Sequence, residues 1–112
     1  ISIYLDIMSA ISSANTINLN DNSLEQAAEC LRILAHPMRL KLLLLLEGNR
    51  ITVGELARAC ELRSNVASEH LRLMMRCGFL SLEKEGQKTY YQISEPHVFS
   101  ILECMKSRFA SL

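Results

Sequence analysis

The sequence predicts a mainly α-helical domain with one β-hairpin and a helix-turn-helix at its centre. Three observations support this fold class. The apolar share is 49%, yet the chain has only three Phe, three Tyr and no Trp, so Leu, Ile, Val, Ala and Met form the core, as in helix-rich proteins. Segments with helical spacing begin at capping patterns and end at Pro or Gly. Two strand-like segments flank a glycine turn.

The length limits the chain to one domain, because 112 residues lie within the usual range of roughly 100 to 150. Residues 1–22 are rich in Ser, Asn and Ile, and we interpret them as an N-terminal tail or a loosely attached helix. The predicted domain covers residues 23–110.

Two helices are predicted before Gly48. Ser23 followed by Gln26 is a capping-box pattern, and apolar residues at helical spacing then predict a first helix over about 24–35, which Pro37 ends. The stretch MRLKLLLLLEG restarts the helix. Its uninterrupted leucines predict a helix buried on most sides that ends at Gly48.

The helix-turn-helix is predicted from two short capped helices. Thr52 begins the first, with Glu55 at the third position of a capping box. Ser64 is the predicted N-cap of the second, which runs to Arg76 and is closed by Gly78. A tight turn between such helices is typical of this motif.

The hairpin and a last helix complete the chain. Residues 79–83 and 89–93 are the predicted strands, with a glycine-containing turn over 84–88. Pro96 begins the helix, whose apolar stripe has no obvious partner in so short a chain. The stripe consists of Val98, Ile101, Leu102, Met105 and Phe109.

The formal net charge is zero, but the charge is unevenly distributed. Residues 1–35 carry four acidic side chains and one basic side chain, whereas residues 36–93 carry nine Lys or Arg against six Asp or Glu. The basic excess therefore lies in the helix-turn-helix and hairpin. Attraction to phosphate would be moderate per chain and would gain from doubling in a dimer.

Several classes of protein are disfavoured. The densest apolar stretch, 42–46, is short and lies between Lys41 and Glu47, so we expect no signal peptide and no membrane span. The four cysteines form no CxxC or Cys/His cluster, so no cofactor is expected, and a cytoplasmic location with reduced thiols is the default. No compact set of nucleophile, base and orienting residue indicates an enzyme.

The order of elements and four motifs resemble the ArsR/SmtB family of bacterial winged-helix repressors. ILAHPMRLKLLLLL resembles the family's Ala-x-Pro-x-Arg-Leu signature, ITVGELARACEL its helix-turn-helix entry, ASEHLRLMMRCGFL its Ser-x-His-Leu recognition helix, and EGQKTYYQIS its wing. The match runs from about Ser23 to Phe109. It implies a winged helix-turn-helix that dimerises through its first and last helices, and a repressor that an inducer, often a metal ion, releases from operator DNA.

The candidate DNA-binding residues lie on the polar face of the Ser64 helix and in the hairpin. A helix in a major groove offers its N-terminal residues to the bases, so Asn65 could pair with adenine, Ser68 with a base or a phosphate, and Arg72 with guanine or a phosphate. A solvated helix face and a plain turn are the alternatives. The full set is Ser64, Asn65, Ser68, Glu69, His70, Arg72, Lys84, Gln87 and Lys88.

Two members of this set are harder to assign. Glu69 lies beside the expected groove face and would repel phosphates. His70 matches the family's histidine, and it either faces the groove or packs against the neighbouring helix. Arg63 stands where the family usually has a small capping residue.

The family's metal sites can be tested by position. The place of its Cys-x-Cys pair holds no cysteine. Glu95 and His97 match the start of a second site, but Arg108 and Ser111 occupy its distal positions. Leu73 replaces one of the two cysteines of a third. We therefore expect no metal site.

Cys30 and Cys104 are the remaining candidate sensor, because the first and last helices should meet at the dimer interface. A bridge between them could sense oxidants, reactive sulfur or a thiophilic ion. The alternative is that both are small core residues, as we expect of Cys60 and Cys77.

The leading hypothesis is thus a homodimeric transcriptional repressor that binds double-stranded operator DNA. One alternative is a thiol-based redox or reactive-sulfur sensor of the same fold. The other is a winged-helix module that binds another protein, which zero net charge and Glu69 would favour.

Overall fold

The computed structural model describes residues 19–111, and within them it contains five helices and one hairpin. Residues 1–18 of the predicted tail lie outside this part of the chain. The helices are α1 (Asp21–Leu34), α2 (Pro37–Leu46), α3 (Val53–Ala59), α4 (Ser64–Arg76) and α5 (His97–Phe109). The strands are β1 (Leu80–Glu85) and β2 (Lys88–Ile93).

Helix α1 begins earlier than its capping pattern predicts. Asn20 is the N-cap, and its side chain accepts a hydrogen bond from the Ser23 amide at 2.8 Å. Asp21 lies in the first turn, where the helix dipole stabilises a carboxylate. The prediction of Ser23 as N-cap is therefore wrong, because Asn20 already caps the preceding turn.

The core lies between the helices and one face of the hairpin. Its largest fully buried side chains are Leu42, Leu43, Leu56, Leu71, Met74, Val98 and Leu102. The leucine-rich α2 is buried on most sides as predicted, although Leu44 remains partly exposed. Helix α2 begins at Pro37, one residue before the predicted restart at Met38, because proline is well suited to the first helical position. It ends before Gly48, as its sequence predicts.

The turn of the helix-turn-helix is a Schellman motif without glycine. The amide of Leu62 donates to the Ala57 carbonyl at 2.8 Å, and the amide of Glu61 to the Arg58 carbonyl at 3.1 Å. This geometry places Glu61 in the left-handed region, with φ 56°. The chain leaves the turn extended at Arg63, the N-cap of α4, which makes no side-chain capping bond. The prediction of Ser64 as N-cap is wrong, because Ser64 is already the first helical residue.

The hairpin strands extend further than predicted. Pairing runs from Leu80 opposite Ile93 to Glu85 opposite Lys88, which leaves a turn of Gly86 and Gln87. Gly86 has φ 63°, a conformation that lets a tight turn match the twist of the strands. The predicted five-residue turn over 84–88 is therefore wrong, and Lys84 is a strand residue.

Helix α5 packs on its own chain through the first half of its stripe. Val98 and Leu102 are fully buried, whereas Phe109 is 73% exposed. The expectation that the whole stripe lacks an internal partner is therefore wrong for its first turns, which pack on the same core. An ion pair of 2.5 Å between Lys106 and Glu47 also ties α5 to the end of α2. Each helix within residues 19–111 is too short or too polar to span a membrane.

Candidate nucleic-acid interface

A groove of about 640 Å³ separates α4 from the hairpin. It brings together six of the nine predicted DNA-binding residues: Ser64, Ser68, Arg72, Lys84, Gln87 and Lys88. The first three recur every four residues and so form one row along α4. The last three lie at the tip of the hairpin. The fold thus places two polar elements, distant in sequence, on the two walls of one groove.

Helix α4 has the two faces that its sequence predicts. Ala67, Leu71 and Met74 are fully buried against the core. The opposite face carries the exposed side chains of Ser64, Asn65, Glu69, Arg72 and Arg76. Packing therefore fixes the rotation of the helix and turns its polar face outward. Asn65 and Glu69 are on this exposed face but outside the groove lining.

Glu69 pairs with Arg72 on that face. The distance from Glu69 Oε2 to Arg72 Nη2 is 2.8 Å. This hydrogen bond, with the charge of Arg72, holds the pKa of the Glu69 carboxyl below its usual value. The carboxylate of Glu69, which fits a DNA interface least well, is thus bound to Arg72, the arginine predicted to contact a guanine or a phosphate.

His70 packs against the neighbouring helix, the second of the two positions considered for it. Its Nδ1 accepts a hydrogen bond of 3.0 Å from Arg39 Nε, and its ring centroid lies 4.8 Å from that of His36. Burial lowers the pKa of His70, and the positive charge of Arg39 lowers it further. The half-buried ring therefore supports α4 from behind, and it is not in the lining of the groove.

Arg50 holds the hairpin, a role that sequence analysis missed. Its Nη2 lies 3.0 Å from Glu83 Oε1 and 2.6 Å from Glu85 Oε2, and its guanidinium carbon lies 3.8 Å from the Tyr90 ring centroid. The two glutamates alternate with Lys84 along β1, so Arg50 engages one face of the strand. The hydrogen bonds that Arg50 donates to the carboxylates of Glu85 and Glu83 raise the pKa of Arg50. No local motif signals this contact, because Arg50 and Glu83 are far apart in sequence.

The start of α3 also contributes to the groove. Thr52, Val53 and Gly54 are among its lining residues. The predicted capping box is confirmed, since the Glu55 amide donates to Thr52 Oγ1 at 3.1 Å and the Thr52 amide donates to Glu55 Oε1 at 3.0 Å. An isolated β-bridge between Thr52 and Tyr90 docks this helix start on the hairpin.

The four cysteines have different surroundings. Cys104 is exposed, Cys30 and Cys77 are half-buried, and Cys60 is buried as predicted for a packing residue. The thiol next to Cys77 is that of Cys30 in the same chain; burial raises the pKa of Cys77, and Cys30 raises it further. A high pKa disfavours the reactive thiolate. The pairing of Cys30 with Cys104 across a dimer stays a prediction.

Glu95 and His97 do meet at the start of α5, with 2.5 Å between Oε1 and Nδ1. Within residues 19–111, however, no three His, Cys, Asp or Glu side chains are grouped so that they could hold a metal ion.

Comparison with known proteins places this geometry among DNA-binding regulators. Residues 34–83 match a family model described as a helix-turn-helix domain. The transcriptional regulator YgaV of Escherichia coli is 35% identical over 86 residues, which cover 76% of this chain and 87% of that protein. The transcriptional repressor SmtB of Mycobacterium tuberculosis is 30% identical over 79 residues, covering 70% of this chain and 58% of SmtB.

A solved structure agrees with the fold. The homodimeric winged helix-turn-helix DNA-binding domain of Mb0332 from Mycobacterium bovis, a possible ArsR-family regulator, superposes with a TM-score of 0.68 at 25% identity. The aligned region covers 79% of this chain and 84% of that domain. The order of helices, hairpin and last helix is thus shared with a winged helix-turn-helix.

Proposed function

The chain belongs to the ArsR/SmtB-type family of winged-helix transcriptional regulators, and from this premise we propose that it is a homodimeric repressor that binds a double-stranded operator. That it is a DNA-binding transcriptional regulator follows from its family. The operator, the dimer and the direction of regulation are our proposal. Because operator DNA is its ligand, its place of action would be the cytoplasm.

One observation carries the proposal most directly: both walls of the groove between α4 and the hairpin carry hydroxyl and cationic side chains, beside the apolar Val53, Met75 and Leu82. Hydroxyls and cations are the groups with which proteins contact phosphates and base edges. With α4 in the major groove, the hairpin would lie over the adjacent backbone. Lys84 and Lys88 would then contact phosphates, and Gln87 at the tip would contact the backbone or the minor groove.

On α4, the proposed readers of bases are Asn65, Ser68 and Arg72, with Ser64 at the helix start near a phosphate. Asn can pair with adenine and Arg with guanine through two hydrogen bonds each. His70 supports the helix, and we do not assign it a base.

The dimer is supported by apolar side chains that the protomer leaves uncovered. On α1, Leu24 and Leu31 are 51% and 56% exposed, and Phe109 at the end of α5 is 73% exposed. A groove of about 280 Å³ beside Phe109 is lined by Leu44 and Met105. Exposed apolar surface of this kind typically marks an interface. Because the homologous Mb0332 domain is homodimeric, a second copy is the proposed partner.

DNase footprinting on the DNA upstream of the protein's own gene tests the proposal. A protected palindrome with half-sites about one helical turn apart is expected. The Arg72→Ala, Lys88→Ala double variant should lose protection. A control variant, Arg32→Ala with Lys41→Ala, removes the same charge from exposed positions outside the groove and should retain it. Unchanged protection by the first variant would contradict the interface, and a partner protein captured in place of DNA would favour a protein-binding module.

The direction of regulation needs a separate measurement. A reporter gene behind the protected site should be silent when the protein is present and active when its gene is deleted. The opposite response would make the protein an activator and would leave the DNA interface intact.

A further inference from the structure

The carboxylate of Glu69 lies on the surface that would face DNA, one helical turn before Arg72. Their side chains are 58% and 46% exposed, and the Glu69 Oε2 to Arg72 Nη2 distance is 2.8 Å. Both groups are therefore charged and accessible. Neither is a buried residue whose pairing the fold requires.

A carboxylate at this position weakens attraction to every DNA sequence alike. It repels phosphates, and it competes with them for the guanidinium of Arg72. An arginine without such a partner binds any nearby phosphate. Glu69 thus lowers the affinity of the protein for DNA of any sequence. Any favourable contribution of Glu69 to recognition would therefore come from discrimination between sequences.

The geometry leaves Arg72 able to read a base. A guanidinium has five N–H donors, and Glu69 engages Nη2. Guanine presents two adjacent acceptors, N7 and O6, in the major groove. Because Glu69 fixes one edge of the guanidinium, Arg72 has less side-chain freedom to lose when its remaining N–H groups bind N7 and O6.

We infer that Glu69 is a positioning residue that orients Arg72 toward a guanine and sets the sequence specificity of α4. The inference rests on the proposed function, since it assumes that α4 enters the major groove of an operator. It assigns Glu69 a role through Arg72. A direct role is the rival: a carboxylate can accept a hydrogen bond from N4 of cytosine.

Selection from a library of random DNA duplexes tests the inference with the full chain. Wild-type protein is first used to enrich a binding sequence, and each base pair of that sequence is then replaced in turn. Affinities are measured for wild type, Glu69→Gln, Glu69→Ala, Arg72→Ala and the double variant Glu69→Ala, Arg72→Ala.

The expected result is a loss of discrimination at one shared base pair. Glu69→Ala and Arg72→Ala should each reduce the preference for guanine there by about tenfold, within the range of a bidentate contact. The double variant should lose no more than Arg72→Ala, because the two residues act through one contact. Affinity of Glu69→Ala for unselected duplex should rise, with a salt slope steeper by about 0.9 per protomer as the freed Arg72 meets a phosphate.

Glu29→Gln is a matched control. Glu29 and Arg32 form a pair with the same spacing on α1, at 2.5 Å, away from the groove. This substitution changes the net charge equally and should leave the preferred base unchanged.

Three outcomes would overturn the inference. If Glu69→Ala relaxed a base pair different from the one that Arg72→Ala relaxes, Glu69 would read DNA directly. If Glu69→Ala changed no preference while Arg72→Ala did, the pair would be only a surface ion pair. If the wild type enriched no sequence at all, the proposed function would fail first, and the inference would fall with it.

Discussion

Arg39 donates from Nε to Nδ1 of His70 at 3.0 Å, and its Nη1 donates to the Ile33 carbonyl at 2.9 Å. One side chain of α2 thus connects the end of α1 with the middle of α4. His70 must be unprotonated at Nδ1 to accept this bond. The contact therefore depends on pH.

We expect the His70→Asn variant to flatten the dependence of stability on pH. Burial, Arg39 and His36 lower the pKa of folded His70 from 6.5, whereas Glu69 opposes them. Below about pH 6.5 the unfolded chain therefore binds more protons at His70 than the folded chain does. The contribution of His70 to the free energy of unfolding is fully present above this pH. It is lost as the pH falls through the lower pKa of folded His70. Asn keeps an acceptor for Arg39 but does not titrate.

Urea unfolding between pH 7.5 and about pH 5 checks this expectation, with the exposed His97→Asn as control. Parallel pH profiles for wild type and His70→Asn would show that protonation of His70 does not disturb its contact with Arg39.

The Arg50→Ala variant should weaken DNA binding with little effect on folding. Exposed ion pairs contribute little to stability, so the unfolding midpoint should barely move. The variant frees the hairpin from its contact with Arg50 and leaves Glu83 and Glu85 unpaired beside Lys84. Adding Glu83→Gln and Glu85→Gln removes the repulsion between these two carboxylates and DNA phosphates, but it does not restore the contact of Arg50 with the hairpin. Titration with operator DNA should therefore recover only part of the affinity; complete recovery would mean that Arg50 acts through charge alone.

The Glu61→Gly variant should be more stable than the wild type. Glu61 has φ 56° at the end of α3, a conformation that costs a residue with a side chain about 1 kcal/mol or more and glycine almost nothing. Some of this gain is offset by the greater freedom of glycine in the unfolded chain. Glu103→Gly makes the same change inside α5 and should lower stability. Thermal unfolding should therefore shift in opposite directions for the two variants.

The Leu31→Asp and Phe109→Asp variants should each be monomeric. A carboxylate at either exposed apolar position would have to be desolvated in the proposed dimer interface. Leu82→Asp is the control, because Leu82 is also exposed and apolar but lines the groove. Sedimentation should show a dimer for Leu82→Asp, with impaired DNA binding. Dimeric Leu31→Asp and Phe109→Asp would place the interface elsewhere.

Three of the four thiols should react at different rates. A thiol-specific reagent at pH 7 should modify exposed Cys104 first, Cys77 more slowly because burial and Cys30 raise its pKa, and buried Cys60 only on unfolding. Cys104→Ser should remove the fast phase. A rapid reaction that survives this substitution would reveal a reactive thiol among the other cysteines.

Local signals in the sequence were enough to predict the elements and most of the groove. The Thr52 capping box, the leucines of α2 and the glycine after α4 are short-range patterns, and each is where the sequence places it. Ala67 and Leu71 are apolar and buried, and helical spacing then places Ser64, Ser68 and Arg72 in one row on the other side of α4.

What could not be predicted depends on contacts between distant residues or on unusual turns. Arg50 meets Glu83 only because the α2 to α3 loop lies beside β1. The sequence allows His70 to face the groove or the neighbouring helix, and only its hydrogen bond with Arg39 distinguishes the two positions. Glu61 carries none of the usual signals of a left-handed residue, so the end of α3 could be located only from its hydrogen bonds.

The pairing of Arg72 with Glu69 affects how the regulator would move through a genome. The chain has zero net charge and the arginine of its groove already holds a carboxylate, so Lys84 and Lys88 are left as the groove cations and attraction to sequences that it does not read would be weak. Dwell times on such sites would be short, and few copies would be sequestered by the great excess of competing DNA. A small number of molecules per cell could then keep an operator occupied.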